Sequence, residues 1–475
     1  MRRRHHLTWL APVWVFAAWA GACSPASERQ PRERPVTEAL DRLVDRPGEG
    51  EAVGTGAPGM PHEEHARAIE PPPPVALPVS LGASATSGKA RYPVGALQSP
   101  LTPSVVSRLQ AVLASSGNWR NTFMKVGDSH STSPSFLECL ADHSRRDFRL
   151  GDHDDLEPAR TFFHGWARES LAAKVGWHAV QTLGAPIRDE VAAMHPGFAV
   201  VMLGTNDTRQ TPADKFEHYL AQNVDSLLAL GVIPIVTTIP PRGDGDAVES
   251  AVPEVNTIIR AVAQSRQVPL IDLYAAMAPL AGQGLAHDGI HLSIFTGSTG
   301  TGSEKGQHGC WLDEESLSAG MNQRNLLTLT ALERMRRFVI GGEKPEAGPP
   351  MLVGAGTFAD PLHVDALPFA DDGTTTAIPS TTSTYACSDR TLDGGEIVYA
   401  VELPVETRLR IRVLADAAAD LDLHWLEGDG LGEACVTHAD RALEITAPAG
   451  SHRLVIDGPA AKAGAYRLTI VPVEI

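Results

Sequence analysis

The run Phe198-Ala199-Val200-Val201-Met202-Leu203 constrains the fold more than any other stretch. Its hydrophobicity is continuous. A strand with one wet face alternates apolar and polar side chains, so a continuous run implies burial on both faces, as in a parallel sheet covered by helices. Similar segments stand around it: 122–126, which holds Phe123-Met124-Lys125-Val126, then Val232 to Thr238 and Val268 to Leu273. Helical periods separate them. Pro103 to Ser115 places Val106, Leu109, Val112 and Leu113 on one side, and a helix from Pro134 would hold Phe136, Leu137 and Leu140. Ser170 to Leu183 reads as a helix with Ser170 as N-cap. The next has Thr211 as N-cap, Pro212 at its first position and Gly231 at its end. Val255 to Gln264 and Asn322 to Val339 complete the set. This alternation predicts an α/β fold with a doubly wound parallel sheet, helices on both faces.

Ligand sites in such sheets lie beyond the carboxyl ends of the strands. Two turns fall there. Gly127-Asp128-Ser129-His130 ends the first strand, and Gly204-Thr205-Asn206-Asp207 ends the Phe198 run. A sharp turn between strand and helix exposes a serine hydroxyl at the rim of a sheet. Ester cleavage needs a serine nucleophile, a histidine to take its proton, an acid to hold the histidine tautomer, and N–H donors for the oxyanion. Ser129 fits the first role. Asp288-Gly289-Ile290-His291 offers base and acid on one short loop, and Asn206 offers an amide donor beside the Ser129 backbone N–H. Asp128 and His130 read as turn residues and Asp207 as a brace of its loop. His287 and His308 read as surface residues, and Trp166 and Trp177 as packing residues. The charged run Asp152-His153-Asp154-Asp155 reads as a solvated turn without ligand geometry, so no metal is expected.

These three blocks, in this order, resemble the SGNH, or GDSL, hydrolase family over about residues 100–340. The resemblance implies a flavodoxin-like three-layer domain and a serine esterase, lipase or deacetylase activity with no metal or cofactor. It makes Ser129, Asp288 and His291 the expected catalytic residues and Asn206 an oxyanion donor. Two positions depart from the family pattern. His130 stands where an apolar residue is common, and the second-block glycine has no clear counterpart. The stretch Gly165 to Ser170 is placed for it, which makes the Ser170 N–H the expected second-block donor, with Gly165 the alternative.

The remaining sequence sets the context. The chain has 475 residues, too many for one ordinary core, and a net charge of −17, which argues against nucleic acid as partner. Met1-Arg2-Arg3-Arg4-His5-His6 and the apolar Leu7 to Trp19 form a signal peptide over residues 1–22. Ala20-Gly21-Ala22-Cys23 resembles a bacterial lipobox, which implies lipidation of Cys23, a membrane anchor and a place in the cell envelope, the outer membrane or cell surface included. Residues 23–87 are Pro-rich, with Pro71-Pro72-Pro73-Pro74, and read as a disordered tether. The hydrolase domain spans 88–342 and a linker 343–350. From Met351 to Ile475 short alternating runs predict an all-β sandwich: Ile397 to Val401, Leu409 to Leu414, Leu421 to Leu426, His452 to Ile456 and Tyr466 to Val471. Gly395-Glu396-Ile397-Val398-Tyr399, Asp420-Leu421-Asp422-Leu423, the run Pro448 to Leu454 and Gly464-Ala465-Tyr466-Arg467-Leu468 resemble the bacterial pre-peptidase C-terminal domain. With Cys23 set aside, four cysteines allow three pairings. Domain position favours Cys387 with Cys435. Cys139 with Cys310 is the second pair, unless Cys139 is a buried apolar residue on the helix after Ser129. The expectation is an exported serine esterase acting through an acyl-enzyme, on an ester-bearing substrate such as an O-acetylated polysaccharide. An O-acyltransferase of the same fold and a non-catalytic surface binding lipoprotein are the alternatives.

Overall fold

The computed structural model describes residues 89–141, 148–297, 306–415 and 418–473. The expected signal peptide, Cys23 and the expected tether to residue 87 lie outside the described residues. Four parallel strands form the first sheet, in the order Trp119–Gly127, Pro196–Met202, Ile233–Thr237 and Leu270–Ile271. Every residue of Pro196–Met202 is buried, as a strand covered on both faces must be. Helices Pro103–Ala114, Ala185–Met194, Ala213–Ala229, Val252–Arg266 and Gly320–Arg334 carry the apolar stripes that cover the sheet. The last of them continues through a wider turn, Met335–Ile340.

Two helices expected from the sequence do not form. The stretch after Ser129 is a short turn of helix, Ser129–Thr132, followed by a 3₁₀ turn, Glu138–Ala141. The region 170–183 is mostly turns, ending in the 3₁₀ turn Ala179–Thr182. The Ser170 hydroxyl donates to the Lys125 carbonyl (2.6 Å) and accepts from the Ala172 N–H (3.1 Å), so it fastens an edge segment where an N-cap was expected. That segment, residues 164–174, runs alongside Trp119–Gly127 in the parallel sense. Its bridges are Thr122 to His164 and Gly127 to Ala173. Phe123 N–H donates to His164 O (3.0 Å), and Lys174 N–H to Gly127 O (3.1 Å). It occupies the outer position of the sheet without being a regular strand.

The C-terminal region is a sandwich of two largely antiparallel sheets. One runs Ala442–Ala447, Thr407–Ala415, Ala465–Val473, Phe369–Thr374; the other runs Cys435–Asp440, Asp422–Glu427, Gly450–Asp457, Ile397–Leu403, Leu362–His363. All five alternating runs read from the sequence are strands. Phe369–Thr374 and Cys435–Asp440 escaped that reading because polar residues interrupt their alternation; Ala442–Ala447 alternates over Leu443 to Ala447 but is short and also escaped it. Both disulfides form, Cys139–Cys310 across the α/β domain and Cys387–Cys435 within the sandwich, with Cα atoms 5.8 and 5.3 Å apart.

The sandwich does not hang free. Its strands Phe369–Thr374 and Ala465–Val473 pack on helix Val252–Arg266. That helix is therefore buried almost all round, polar residues included. Glu254 receives Arg410 (3.0 Å) and Arg412 from the sandwich, and Glu217 pairs with Arg467 (2.5 Å). Leu414 enters the core of the α/β domain. The two parts should therefore unfold together, in one calorimetric transition. Glu254→Ala should lower stability by about 1–3 kcal/mol, because it takes the carboxylate from Arg412 at a partly buried surface and one of two from Arg410, which keeps Glu444. Two well-separated transitions in the unmodified chain would contradict this packing.

Candidate active site

The carboxyl edge of the sheet brings three loops together at Ser129. The first needs a glycine for steric reasons. A Cβ on Gly127 would lie 2.4 Å from the Ser131 Oγ and 2.6 Å from the Met202 carbonyl oxygen, so no larger residue fits there. Asp128 then caps the Ser129–Thr132 turn by accepting the His130 backbone N–H (3.0 Å). From below, Arg324 on the last long helix donates to the His130 carbonyl (2.6 Å) and the Ser131 hydroxyl (3.2 Å), its guanidinium over the Phe136 ring at 3.6 Å. Burial pulls this guanidinium down to about 9, against the pull of the Asp128 charge, so it remains a cation at neutral pH. Burial also works against the charge on Asp128, but the His130 ring, the His130 N–H and Arg324 together outweigh it and hold the carboxyl below its ordinary value.

The second loop is Ala286 to His291. The Ala286 N–H donates to the His291 carbonyl (2.7 Å), which closes the loop. Gly289 has φ of +67°, and a Cβ there would lie 2.7 Å from the carbonyl carbon of Gly243. This contact, with a bond from Gly243 N–H to Gly289 O (2.8 Å), holds the loop from one side. Asp288 Oδ1 accepts the backbone N–H groups of Ile290 and His291, both at 2.9 Å. Its Oδ2 lies 2.6 Å from His291 Nδ1, and His291 Nε2 lies 2.9 Å from Ser129 Oγ. A carboxylate only accepts, so Nδ1 carries the proton and the free Nε2 faces the serine hydroxyl. This is the arrangement in which a histidine takes the serine proton as the oxygen attacks. Partial burial works to raise the Asp288 carboxyl, but the His291 ring, the two N–H groups and the His291 charge bring it down to about 2.

On the far side of Ser129, Asn206 donates one amide hydrogen to the Trp177 carbonyl (2.9 Å), which orients the group and leaves its second hydrogen for a ligand. Asp207 braces the same region by accepting from the Ala179 N–H (3.1 Å) and the Thr211 hydroxyl (2.9 Å). The structure brings neither Ser170 nor Gly165 to this place. Ser170 sits level with Lys125, four residues before Ser129, or roughly 13 Å down the strand. Gly165 packs on the Phe123 carbonyl, lower still. It lines a separate cavity of about 390 Å³ with Arg160, Phe163 and Trp166, which none of Ser129, Asn206, Asp288 and His291 enters. The backbone beside Gly127 and Asn206 is the turn Lys174 to Trp177, with Gly176 at φ of +77° and exposed. The helical reading of 170–183 obscured this turn. Also unforeseen were Arg324, the Gly243–Gly289 contact, and the His130 ring, whose Nε2 reaches the Ile290 carbonyl (3.1 Å). Among the described residues the one grouping with metal-ligand spacing is Cys387, His424 and Cys435, and its two sulfurs are joined to each other.

A serine, histidine and aspartate in one hydrogen-bonded chain, on the carboxyl edge of a parallel sheet, define a serine hydrolase type of site. Residues 150–294 match the family model of the GDSL-like Lipase/Acylhydrolase family, and the α/β domain is accordingly an ester hydrolase domain of SGNH, or GDSL, type. Asn206, Asp288 and His291 fall within the matched segment, and the Ser129 turn precedes it. No curated protein matches the chain. Among solved structures it is similar to a GDSL-like lipase from Bacteroides thetaiotaomicron, with 16% identity over 48% of this chain and 97% of that one, TM-score 0.29. An acetylxylan esterase from Geobacillus stearothermophilus is 18% identical over 46% and 94%, TM-score 0.30. The pre-peptidase C-terminal domain of a collagenase from Bacillus anthracis is 12% identical over 23% and 91%, TM-score 0.18.

Two outcomes follow for kinetics. Asn206→Ala should lower kcat on the order of 10²-fold with little change in KM, while Ser170→Ala leaves kcat near the parent value. A depressed carboxyl contributes above its unfolded value, near 4, and loses that contribution as pH falls toward about 2. Asp288 is therefore ionised across ordinary assay conditions. Asp288→Asn should cut kcat on the order of 10³-fold or more across a profile from pH 5 to 9, without displacing a titration within that window.

Proposed function

We propose that the chain is an exported serine esterase that removes acyl groups through an acyl-enzyme on Ser129. The observation that carries this reading is the hydrogen-bonded chain from Ser129 Oγ through His291 to Asp288. In the reaction His291 Nε2 takes the hydroxyl proton as Ser129 Oγ bonds to the ester carbonyl carbon. The oxyanion faces the Ser129 N–H and the free amide hydrogen of Asn206. His291 then gives the proton to the departing alkoxide. Water repeats the sequence with His291 as base, and the carboxylic acid leaves.

The substrate class in this proposal is an O-acyl group on a bulky carrier, such as an acetylated polysaccharide. Its support is the openness of the site: the side chains of Asp288 and His291 are each 47% exposed, so the carrier of the ester need not enter a deep cleft. Export and a lipid anchor at Cys23 belong to the same proposal and rest on the N-terminal sequence. No helix among the described residues is long and apolar enough to cross a membrane.

The purified protein should hydrolyse p-nitrophenyl acetate, and Ser129→Ala and His291→Ala should each remove that activity. Turnover that survives either substitution, or none in the parent, would sink the esterase reading. Acetate released from an acetylated polysaccharide, measured against acetyl appearing on an added sugar, separates hydrolysis from transfer.

A further inference from the structure

His130 follows the nucleophile and is 1% exposed. The ring is held at both nitrogens. Nδ1 lies 3.3 Å from Asp128 Oδ1, and Nε2 lies 3.1 Å from the carbonyl oxygen of Ile290. Both partners are acceptors. A carbonyl oxygen cannot donate, and Asp128 Oδ1 already accepts the His130 backbone N–H (3.0 Å). A neutral imidazole has one N–H and would turn a lone pair toward one of these oxygens. With Asp128 ionised, the contacts are satisfied together by a ring with both nitrogens protonated, opposite the Asp128 charge. Two further groups lie near the turn, and the Arg324 cation shares the Asp128 charge. Arg324 is bonded to the His130 carbonyl and to Ser131, on the backbone side of the turn, and the His291 ring stands 5.2 Å away between centroids.

Ile290 immediately precedes His291. Its carbonyl therefore fixes the loop that presents Asp288 and His291, in addition to the Gly243–Gly289 contact. We propose that His130, as a buried imidazolium between Asp128 and the Ile290 carbonyl, is a positioning residue that pins the acid–base loop to the nucleophile turn and so sets the Ser129–His291 contact. It touches no reacting atom. The inference rests on the esterase reading only where rate is the readout.

The test combines rate and spectroscopy on the full chain. Ser129→Ala serves as the control that turnover belongs to this site. His130→Leu should lower kcat on the order of 10- to 100-fold with KM within about 2-fold, because the reacting groups drift apart while the substrate surface stays. His130→Gln keeps an N–H donor within reach of the Ile290 carbonyl and should recover kcat to within about 3-fold of the parent. Nitrogen-15 NMR of the parent protein near pH 7, with His130 assigned by its loss in His130→Gln, should show both ring nitrogens protonated. A His130→Leu variant with parental kcat, equal loss in both variants, or a ring with one protonated nitrogen would each overturn the proposal. If His130→Leu does not fold, as judged by its melting curve, His130→Gln and the spectrum decide. If the parent has no Ser129-dependent turnover, the esterase reading fails, and the spectrum alone still decides the clamp.

Discussion

The site depends on a hydrogen bond between two loops, His291 Nε2 to Ser129 Oγ. The residues are 162 positions apart, and no sheet bond joins their loops directly. Holding two loops within hydrogen-bond distance has an entropic cost that the bond alone does not offset, since one such bond contributes about 1 kcal/mol net. The surrounding structure supplies the difference. Arg324 fixes the serine turn from a helix, Gly127 lets that turn lie against the next strand, and Gly243 holds the acid–base loop at Gly289. The reactive geometry belongs to a scaffold that reaches it from several elements, as a preorganised site requires.

The same logic extends to the second domain. Helix Val252–Arg266 lies under the sandwich and in the layer that covers the sheet. A surface helix has one apolar stripe. Here Glu254, Asn256, Arg260, Gln264 and Arg266 are buried as well, each with a partner. Asn256 bonds the Ile239 backbone and Arg260 bonds Asp272, both in segments at the carboxyl edge. A change at the sandwich contact thus reaches the frame of the site through a single helix. The sandwich also has its own core around Trp425, Leu454 and Ile470, so it is a domain in packing terms although it is docked along one face.

Much of this was legible in the chain. Continuous apolar runs gave the parallel strands, and alternation gave five strands of the sandwich, because burial on two faces and on one leave different periods. Ser129, Asp288 and His291 could be named because short local patterns specify them. What could not be read depends on contacts between distant segments. The polar residues of helix Val252–Arg266 read as an ordinary wet face, since nothing local reveals that a second domain covers it. His130 read as a turn residue, because its partner at Ile290 is 160 positions away.

The outer edge of the sheet shows the limit most clearly. Residues 164–174 have neither an apolar run nor an alternation, and 170–183 carry enough helical spacing to suggest a helix. The chain is held there by backbone bonds at Phe123 and Gly127, by the Ser170 hydroxyl on the Lys125 carbonyl, and by the Lys125 ammonium on the Trp166 carbonyl (3.2 Å). Burial draws that ammonium down to about 8, with Glu138 opposing. A lysine within the run Phe123-Met124-Lys125-Val126 is therefore a structural device: its stem lies in the core, and its head fastens an edge that lacks a regular ladder. Because the edge is pinned at these levels, the chain leaves the sheet at Lys174 and turns beside Asn206. The Asn206 side of the site is thus set by how far the edge segment extends along the first strand, a length that no local pattern encodes.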